Sequence, residues 1–277
     1  MLQLEKPTVP PGPVVFDSPH SGSDYPEDFR PAIDKSILRR AEDAHVDALF
    51  NHVMLQGAAL LSASFPRSYI DTNRPVDDLD PDLIEGDWPH PINPSAKSFG
   101  GKGLIWRTVQ LSGAIYDRKL TVDEVARRIE NYWQPYHDAL RALLDETYVR
   151  HGMVLHINCH SMRSRGHEKD PDGEVDRPDI ILGDRVGVSC DPKITQFAAQ
   201  TLRDLGYSVS VNSPYQGQEL VRAYAAPAIG RHSFMIEINR RLYMDERTLE
   251  VLPSFDVLKR NMTAFTQAII SHFREAK

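Results

Sequence analysis

Two periodicities run along the chain. Short runs of apolar and β-branched residues bounded by turn formers predict strands at "PVVFDS" (Pro13–Ser18), "AALLSAS" (Ala58–Ser64), "MVLHINC" (Met153–Cys159), "DIILGD" (Asp179–Asp184), "YSVSVN" (Tyr207–Asn212) and "SFMIEIN" (Ser233–Asn239). Between them, apolar residues recur at helical spacing. Ile37, Leu38, Val46, Leu49, Phe50 and Val53 predict a helix from Asp34 to about Gln56, with Gly57 at its end. Thr121 and Glu124 stand in capping-box spacing before a periodic stretch that closes at Gly152; Pro135 inside it predicts a kink or a division into two helices. Asp191-Pro192 opens another helix that ends at Gly206, and a final one follows Pro253. Strands alternating with helices predict an α/β protein in three layers, with helices on both faces of a mixed, mostly parallel sheet.

Phe65 to Gly103 breaks this pattern. It is rich in Pro, Asp, Asn and Gly and too long for an idle connection, so it is expected to carry function or local structure. The chain has 277 residues, 41% hydrophobic and 26% charged, and contains neither a repeat nor a low-complexity linker, which fits one domain spanning 1–277. A net charge of −7 without a lysine and arginine run argues against a nucleic-acid partner. No apolar run reaches the length of a membrane span, and "MLQLEKPTVPPGP" lacks the form of a secretory signal. With two cysteines, Cys159 and Cys190, outside any CxxC arrangement, the expected location is the cytoplasm and the expected partner a small molecule. Composition says nothing of the oligomeric state.

The chemistry is concentrated where the predicted strands end. His20 follows the first, His160-Ser161 follows "LHIN", Tyr215 follows "YSVSVN", and Glu237 lies within "MIEIN". Parallel strands deliver their C-terminal ends to one side of the sheet, so these groups can converge. Two imidazoles and a carboxylate are common zinc ligands that leave a position for water, whose pKa the metal lowers to about 7. Glu237, between apolar neighbours, needs a charged partner or a catalytic purpose, and the role of base for that water supplies one. In "SYIDTNRP" (Ser68–Pro75), Asp71, Asn73 and Arg74 offer the planar fork and amide that suit a small-molecule carboxylate, and Arg67, Arg163 and Arg222 are further candidates for it. Each feature also has a plain structural reading. A histidine at a strand end is commonly hydrogen-bonded scaffold, Glu237 can pair with Arg240 or Arg241, and "IDTNR" can be a turn braced by an ion pair. His156 reads as a core histidine.

Taken together, "DSPHSGSDYP", "EDAHVDALF", "PRSYIDTNRP", "GLIWR", "INCHSM", "SPYQGQELVRAYAAP" and "HSFMIEINRRLYMDE" resemble the N-formylglutamate amidohydrolase family, in the right order from about Val14 to about Glu246. The resemblance implies hydrolysis of N-formylglutamate to formate and glutamate, the last step of one route of histidine degradation. It also implies a phosphorylase/hydrolase-like α/β/α fold similar to that of zinc carboxypeptidases and aspartoacylases, with one Zn2+ per chain. By that resemblance His20 and His160 are metal ligands, Asn73-Arg74 hold the substrate carboxylate, Glu237 activates water and Tyr215 covers the pocket. Arg163 is the candidate for oxyanion stabilisation.

The chain departs from the carboxypeptidase pattern at Ser23, where a metal-binding glutamate is expected three residues after the first histidine. "EDAHVD" offers Asp43 or Asp47 in its place. The two share a helix face if the predicted helix holds, with Asp43 the favoured ligand and Asp47 its support or replacement. Two other readings stand beside hydrolysis of N-formylglutamate. One is deacylation of another N-acyl amino acid; the other is a non-catalytic binder of small carboxylates, which would not need Glu237.

Overall fold

The computed structural model describes residues 1–109, 113–168 and 170–275. Its strands are β1 (Leu2–Glu5), β2 (Val14–Ser18), β3 (Ala59–Ala63), β4 (Ile84–Glu85), β5 (Leu120–Thr121), β6 (Val154–Met162), β7 (Ile180–Gly183), β8 (Val209–Val211) and β9 (Arg231–Asn239). Apart from the small β4-β5 pair, they form a seven-stranded sheet in the order β1-β3-β2-β6-β9-β7-β8. The block β3-β2-β6-β9 is parallel throughout, whereas β1 joins antiparallel to β3, and β7, parallel to β8, joins antiparallel to β9. This is the mixed, mostly parallel α/β sheet that the sequence pattern predicts. Sequence reading passed over β1, a short edge strand without a bounded apolar run.

The helices are α1 (Lys35–Leu38), α2 (Val46–Phe50), α3 (Ala96–Phe99), α4 (Val122–Arg128), α5 (Gln134–His151), α6 (Pro192–Asp204), α7 (Glu219–Tyr224) and α8 (Phe255–Glu275). Strand periodicity decides which helices cover which face. Val14, Phe16, Leu155, Ile157, Phe234, Ile236 and Ile238 are buried in one cluster with residues of α2, α6 and α8. Val15, Leu61 and Val154 pack on the other face against Val125, Tyr136, Leu140 and Leu144 of α4 and α5. Further along the strands that second face turns polar. Asp17, His156, Asn158 and His160 are all buried, and β6 pairs Asn158 with Asp17 and His160 with Glu237. A two-residue period thus carries a row of polar side chains to the C-terminal edge of three adjacent parallel strands.

Two predicted helices take a different form. The stretch from Asp34 to Gln56 divides into α1, a 3-10 turn (Arg39–Ala41), α2 and a second 3-10 segment (Asn51–Gln56). The break falls at Glu42–His45, where His45 adopts φ 67° and the Asp43 N–H donates to the His20 carbonyl at 2.9 Å. Tertiary contacts of buried Glu42 and Asp43 override helical spacing here: Tyr25 donates to Glu42 at 2.7 Å and Arg240 to Asp43 at 2.9 Å. Asp43 and Asp47 therefore do not share a helix face. The predicted break at Pro135 becomes a π turn (Ile129–Trp133) between α4 and α5, with Pro135 in the first turn of α5. Proline is tolerated there because its missing N–H would in any case be unsatisfied. The Thr121–Glu124 capping box and the Asp191 N-cap form as predicted.

Candidate active site

Ser18 ends β2, and the next turn lowers His20 into the interior, where its side chain is fully buried. This turn is tightly seated. A Cβ on Gly22 would stand 2.3 Å from the Ser64 carbonyl carbon at the end of β3, so only glycine lets the two backbones approach. Gly22→Ala is expected to destabilise the protein by about 1–3 kcal/mol and to displace the His20 loop. Thermal denaturation checks this, and an unchanged Tm would show that the loop yields.

His20 Nε2 lies 2.7 Å from Asp71 Oδ1. Asp71 also accepts hydrogen bonds from the Asn73 N–H (2.9 Å), Arg67 Nη2 (3.0 Å) and Trp106 Nε1 (3.1 Å). Burial would raise its pKa, but Arg67, His20 and Arg74 hold the carboxyl well below the usual range. An ionised carboxylate only accepts, so His20 Nε2 carries a hydrogen, and in the neutral ring Nδ1 holds the lone pair. At His160 the shorter of two Nε2 contacts, 2.6 Å to Asn158 Oδ1 against 3.2 Å to Asn73 Nδ2, favours the same arrangement. Asn158 donates Nδ2–H to Asp17 at 2.8 Å, which turns its Oδ1 toward His160 Nε2 at 2.6 Å.

The two Nδ1 atoms thus face Asp43 Oδ2, at 3.4 Å from His20 and 3.0 Å from His160. The rings lie 4.7 Å apart. His20 Nδ1 is buried and without a hydrogen-bond partner among the described residues. Asp43 Oδ1 is held by Arg240 at 2.9 Å, with Arg67 at 3.8 Å. Burial would raise Asp43 too, yet His160, His20 and Arg67 keep it well below the usual carboxylate range. With both Nε2 atoms protonated, neutral rings leave three acceptors pointing at one another. An extra proton or a cation must lie between them, and the three ligand atoms fall within 4.8 Å of one another. These residues fit a divalent metal with two imidazoles and a carboxylate, each ring backed by an outer acceptor. Asp47 is not part of the group; its backbone N–H bonds Ser21 Oγ at the start of α2.

Glu237 points into the same pocket from β9. Among the described residues its carboxylate receives no hydrogen bond, and Arg240 and Arg241 pair with Asp43 and Asp179 instead. Burial pushes Glu237 up to about 7, opposed by His160 and reinforced by Asp43. The cavity has a volume of about 360 Å³ and is lined also by Arg67, Asn73, Arg74, Arg163 and Tyr215. Asn73 accepts from the Leu220 N–H (2.9 Å) and its Nδ2 lies 3.2 Å from His160. Arg74 donates to the carbonyls of Lys102 and Asn73, both at 3.0 Å. Arg163 stands on the wall with Nη2 2.9 Å from Asp170. Tyr215 arrives by an unexpected route, since β8 runs antiparallel to β9. The segment after β8 doubles back across β7, where a Cβ on Gly183 would stand 2.6 Å from the Gln216 carbonyl carbon.

Arg222 is a correction. It is exposed on α7, pairs with Glu219 at 2.8 Å and does not line the cavity, because the side chain that this part of the chain turns inward is Gln218. Sequence reading also missed Lys97, Lys102, Trp106 and Arg177 on the walls, and Asp17 and Asn158 behind His160. The alternation of His156, Asn158 and His160 on β6 was the available signal for Asn158; Arg240 was weighed only as a partner of Glu237.

Comparison with known proteins identifies the family. An N-formylglutamate amidohydrolase from Ralstonia eutropha JMP134, known as a crystal structure, superposes with a TM-score of 0.96 at 43% identity, over 100% of this chain and 99% of that one. An Agrobacterium tumefaciens gene product of 16% identity shares the fold, with a TM-score of 0.72 over 99% of this chain and 95% of its own. The N-formylglutamate deformylase of Pseudomonas putida is 29% identical over 84% of this chain and 82% of its own length. Residues 12–244 match the N-formylglutamate amidohydrolase family as a whole, and the chain belongs to that family.

Proposed function

We propose that this chain is a metal-dependent amidohydrolase that cleaves N-formyl-L-glutamate to formate and L-glutamate. The observation that carries the reading is the buried cluster of His20, Asp43 and His160, whose ligand atoms fall within 4.8 Å of one another, beside the carboxylate of Glu237, which receives no hydrogen bond among the described residues. The names of the relatives in Ralstonia and Pseudomonas support the substrate. Zinc suits the donor set, and when held by His20, Asp43 and His160 it would acidify water and polarise the formyl carbonyl. Glu237 accepts a proton from the attacking water at a carboxylate oxygen. It then returns that proton to the amide nitrogen as the C–N bond breaks, so the amine does not leave as an anion. Arg163 and Tyr215 stabilise the developing oxyanion from the cavity wall. Arg74, with its planar fork and no carboxylate partner among the described residues, holds the α-carboxylate next to the scissile amide, supported by Asn73 and Arg67.

The reaction would close one route of histidine degradation in the cytoplasm. No helix among the described residues is long and apolar enough to cross a membrane. Formate release from N-formyl-L-glutamate tests the proposal. It is expected to stop when the protein is stripped with a chelator and to return with added zinc. A folded protein that releases formate from no N-formyl amino acid under any metal would overturn it.

A further inference from the structure

Cations crowd the pocket, and four of them are already neutralised. Arg67 pairs with Asp71, Arg163 with Asp170, Arg177 with Asp170 and Asp172, and Arg240 with Asp43. Lys97 and Lys102, like Arg74, differ: they line the cavity, and among the described residues no carboxylate stands within ion-pair distance of them. Burial, together with Lys97, Arg67 and Arg163, pushes the Lys102 ammonium down to about 8, and Lys97 is lowered by burial and by Arg74 and Arg67. An unpaired, part-buried ammonium such as that of Lys102, held close to other cations, is kept at the expense of stability unless an anion joins it.

The backbone is built to hold them there. Ser95 caps α3, and the Lys102 N–H donates to the Lys97 carbonyl at 2.8 Å, closing a loop that brings the two lysines to one side. Gly101 at φ 77° makes the turn possible. Gly103 pins it, because a Cβ there would stand 2.6 Å from the Asp78 carbonyl oxygen and 2.4 Å from Ser98 Oγ. Lys102 Nζ lies 5.6 Å from the centre of the Trp106 ring. Contacts then run outward in order from the reaction centre. Asn73 touches His160, Arg74 follows it in the chain and donates to the Lys102 carbonyl, and Lys102 is tied to Lys97, which is exposed at the mouth.

A substrate has the same order. In N-formylglutamate the α-carboxylate is one carbon from the amide nitrogen, and the side-chain carboxylate lies two methylenes further out. We infer that Lys97 and Lys102 together receive the side-chain carboxylate and so restrict the site to N-acyl amino acids with an acidic side chain. The inference rests on the hydrolytic reading above for its placement of the amide at the His20, Asp43 and His160 end of the cavity. The two lysines act as specificity determinants, while Arg74 recognises the group common to every amino acid.

The test compares N-formyl-L-glutamate with N-formyl-L-glutamine, its neutral isostere, in the wild type and in Lys97→Met, Lys102→Met and the double variant. The ratio of kcat/KM for the acid to that for the amide is expected to fall about 10-fold in each single variant and further in the double, through KM for the acid. An unchanged ratio, or equal losses on both substrates, would overturn the assignment. Thermal denaturation confirms folding of the variants. If the wild type hydrolyses neither compound, calorimetry with zinc-loaded protein separates the two ideas. Tighter binding of glutarate than of butyrate, abolished in the double variant, supports the lysines and removes only the hydrolytic reading. A preference for glutarate that survives the double variant, or no preference in the wild type, overturns the lysines themselves.

Discussion

Glu237→Gln is expected to lower kcat by about three orders of magnitude, to leave zinc bound, and to make the metal-free protein more stable at neutral pH. Loss of turnover follows from the loss of the proton acceptor, since glutamine can neither take the proton of water nor return it to the amine. The gain in stability follows from the raised pKa. Burial moves the Glu237 carboxyl from its usual 4.5 up to about 7, so between those values the folded protein binds more protons than the unfolded chain. Stability contributed by the protonated group is complete below pH 4.5 and is lost as the pH rises through 7, a difference of roughly 3 kcal/mol. A neutral glutamine removes this dependence. Urea denaturation of the metal-free wild type and variant at pH 5 and pH 8 should therefore give curves that differ mainly at the higher pH. Zinc titration and turnover complete the measurement. Near-normal turnover would sink the assignment of Glu237 as base, and equal stability at pH 8 would show that its carboxylate is solvated in the native protein.

Asp43→Ala is expected to have the largest structural effect of any change in the site. Its Oδ2 faces both histidines while its Oδ1 neutralises Arg240, whose guanidinium also donates to the Glu42 carbonyl at 2.6 Å and to Ser161 Oγ at 3.1 Å. Removing the carboxylate leaves Arg240 buried without its counter-charge, a loss of about 3–5 kcal/mol, and removes one of the three proposed metal ligands. Asp43→Asn separates the two effects. Its amide oxygen can still accept from Arg240, so it should retain more stability than Asp43→Ala while binding zinc much more weakly than wild type. Calorimetric titration with zinc and urea denaturation read the two effects independently. Wild-type zinc affinity in Asp43→Ala would remove Asp43 from the ligand set.

The strand-end groups were the legible part of the site. His20, His160 and Glu237 converge because β2, β6 and β9 are parallel neighbours, which the alternation of strands and helices already implied. Asp43 was a different matter. Nothing in its own neighbourhood distinguishes it from Asp47, and only the resemblance led to the pair. What separates them is a left-handed residue and a contact with Arg240, 197 positions away. Arg222 was misread because helical exposure depends on what covers α7, and its salt bridge with Glu219 is of the kind any surface helix makes. The lysines escaped notice because a charged residue in a polar loop looks solvated until the turn that aims it is known. Asp17 was read only as the end of a strand, since its work is done through Asn158, across the β2-β6 ladder.

The place of β9 in the sheet also bears on how the chain is made. β9 (Arg231–Asn239) lies between β6 and the β7-β8 pair, so the middle of the sheet comes from the last fifth of the chain. During synthesis, β2, β3 and β6 can associate early, but β6 keeps an open edge of unpaired backbone groups until residue 239 has left the ribosome. The β7-β8 pair meanwhile has no partner strand to dock against. Nascent chains should pass through a stage with two unpaired strand edges, the form most prone to pairing with another copy. Truncation before β9 would preserve that stage as the end state, removing Glu237 and leaving a split sheet in place of a smaller folded protein.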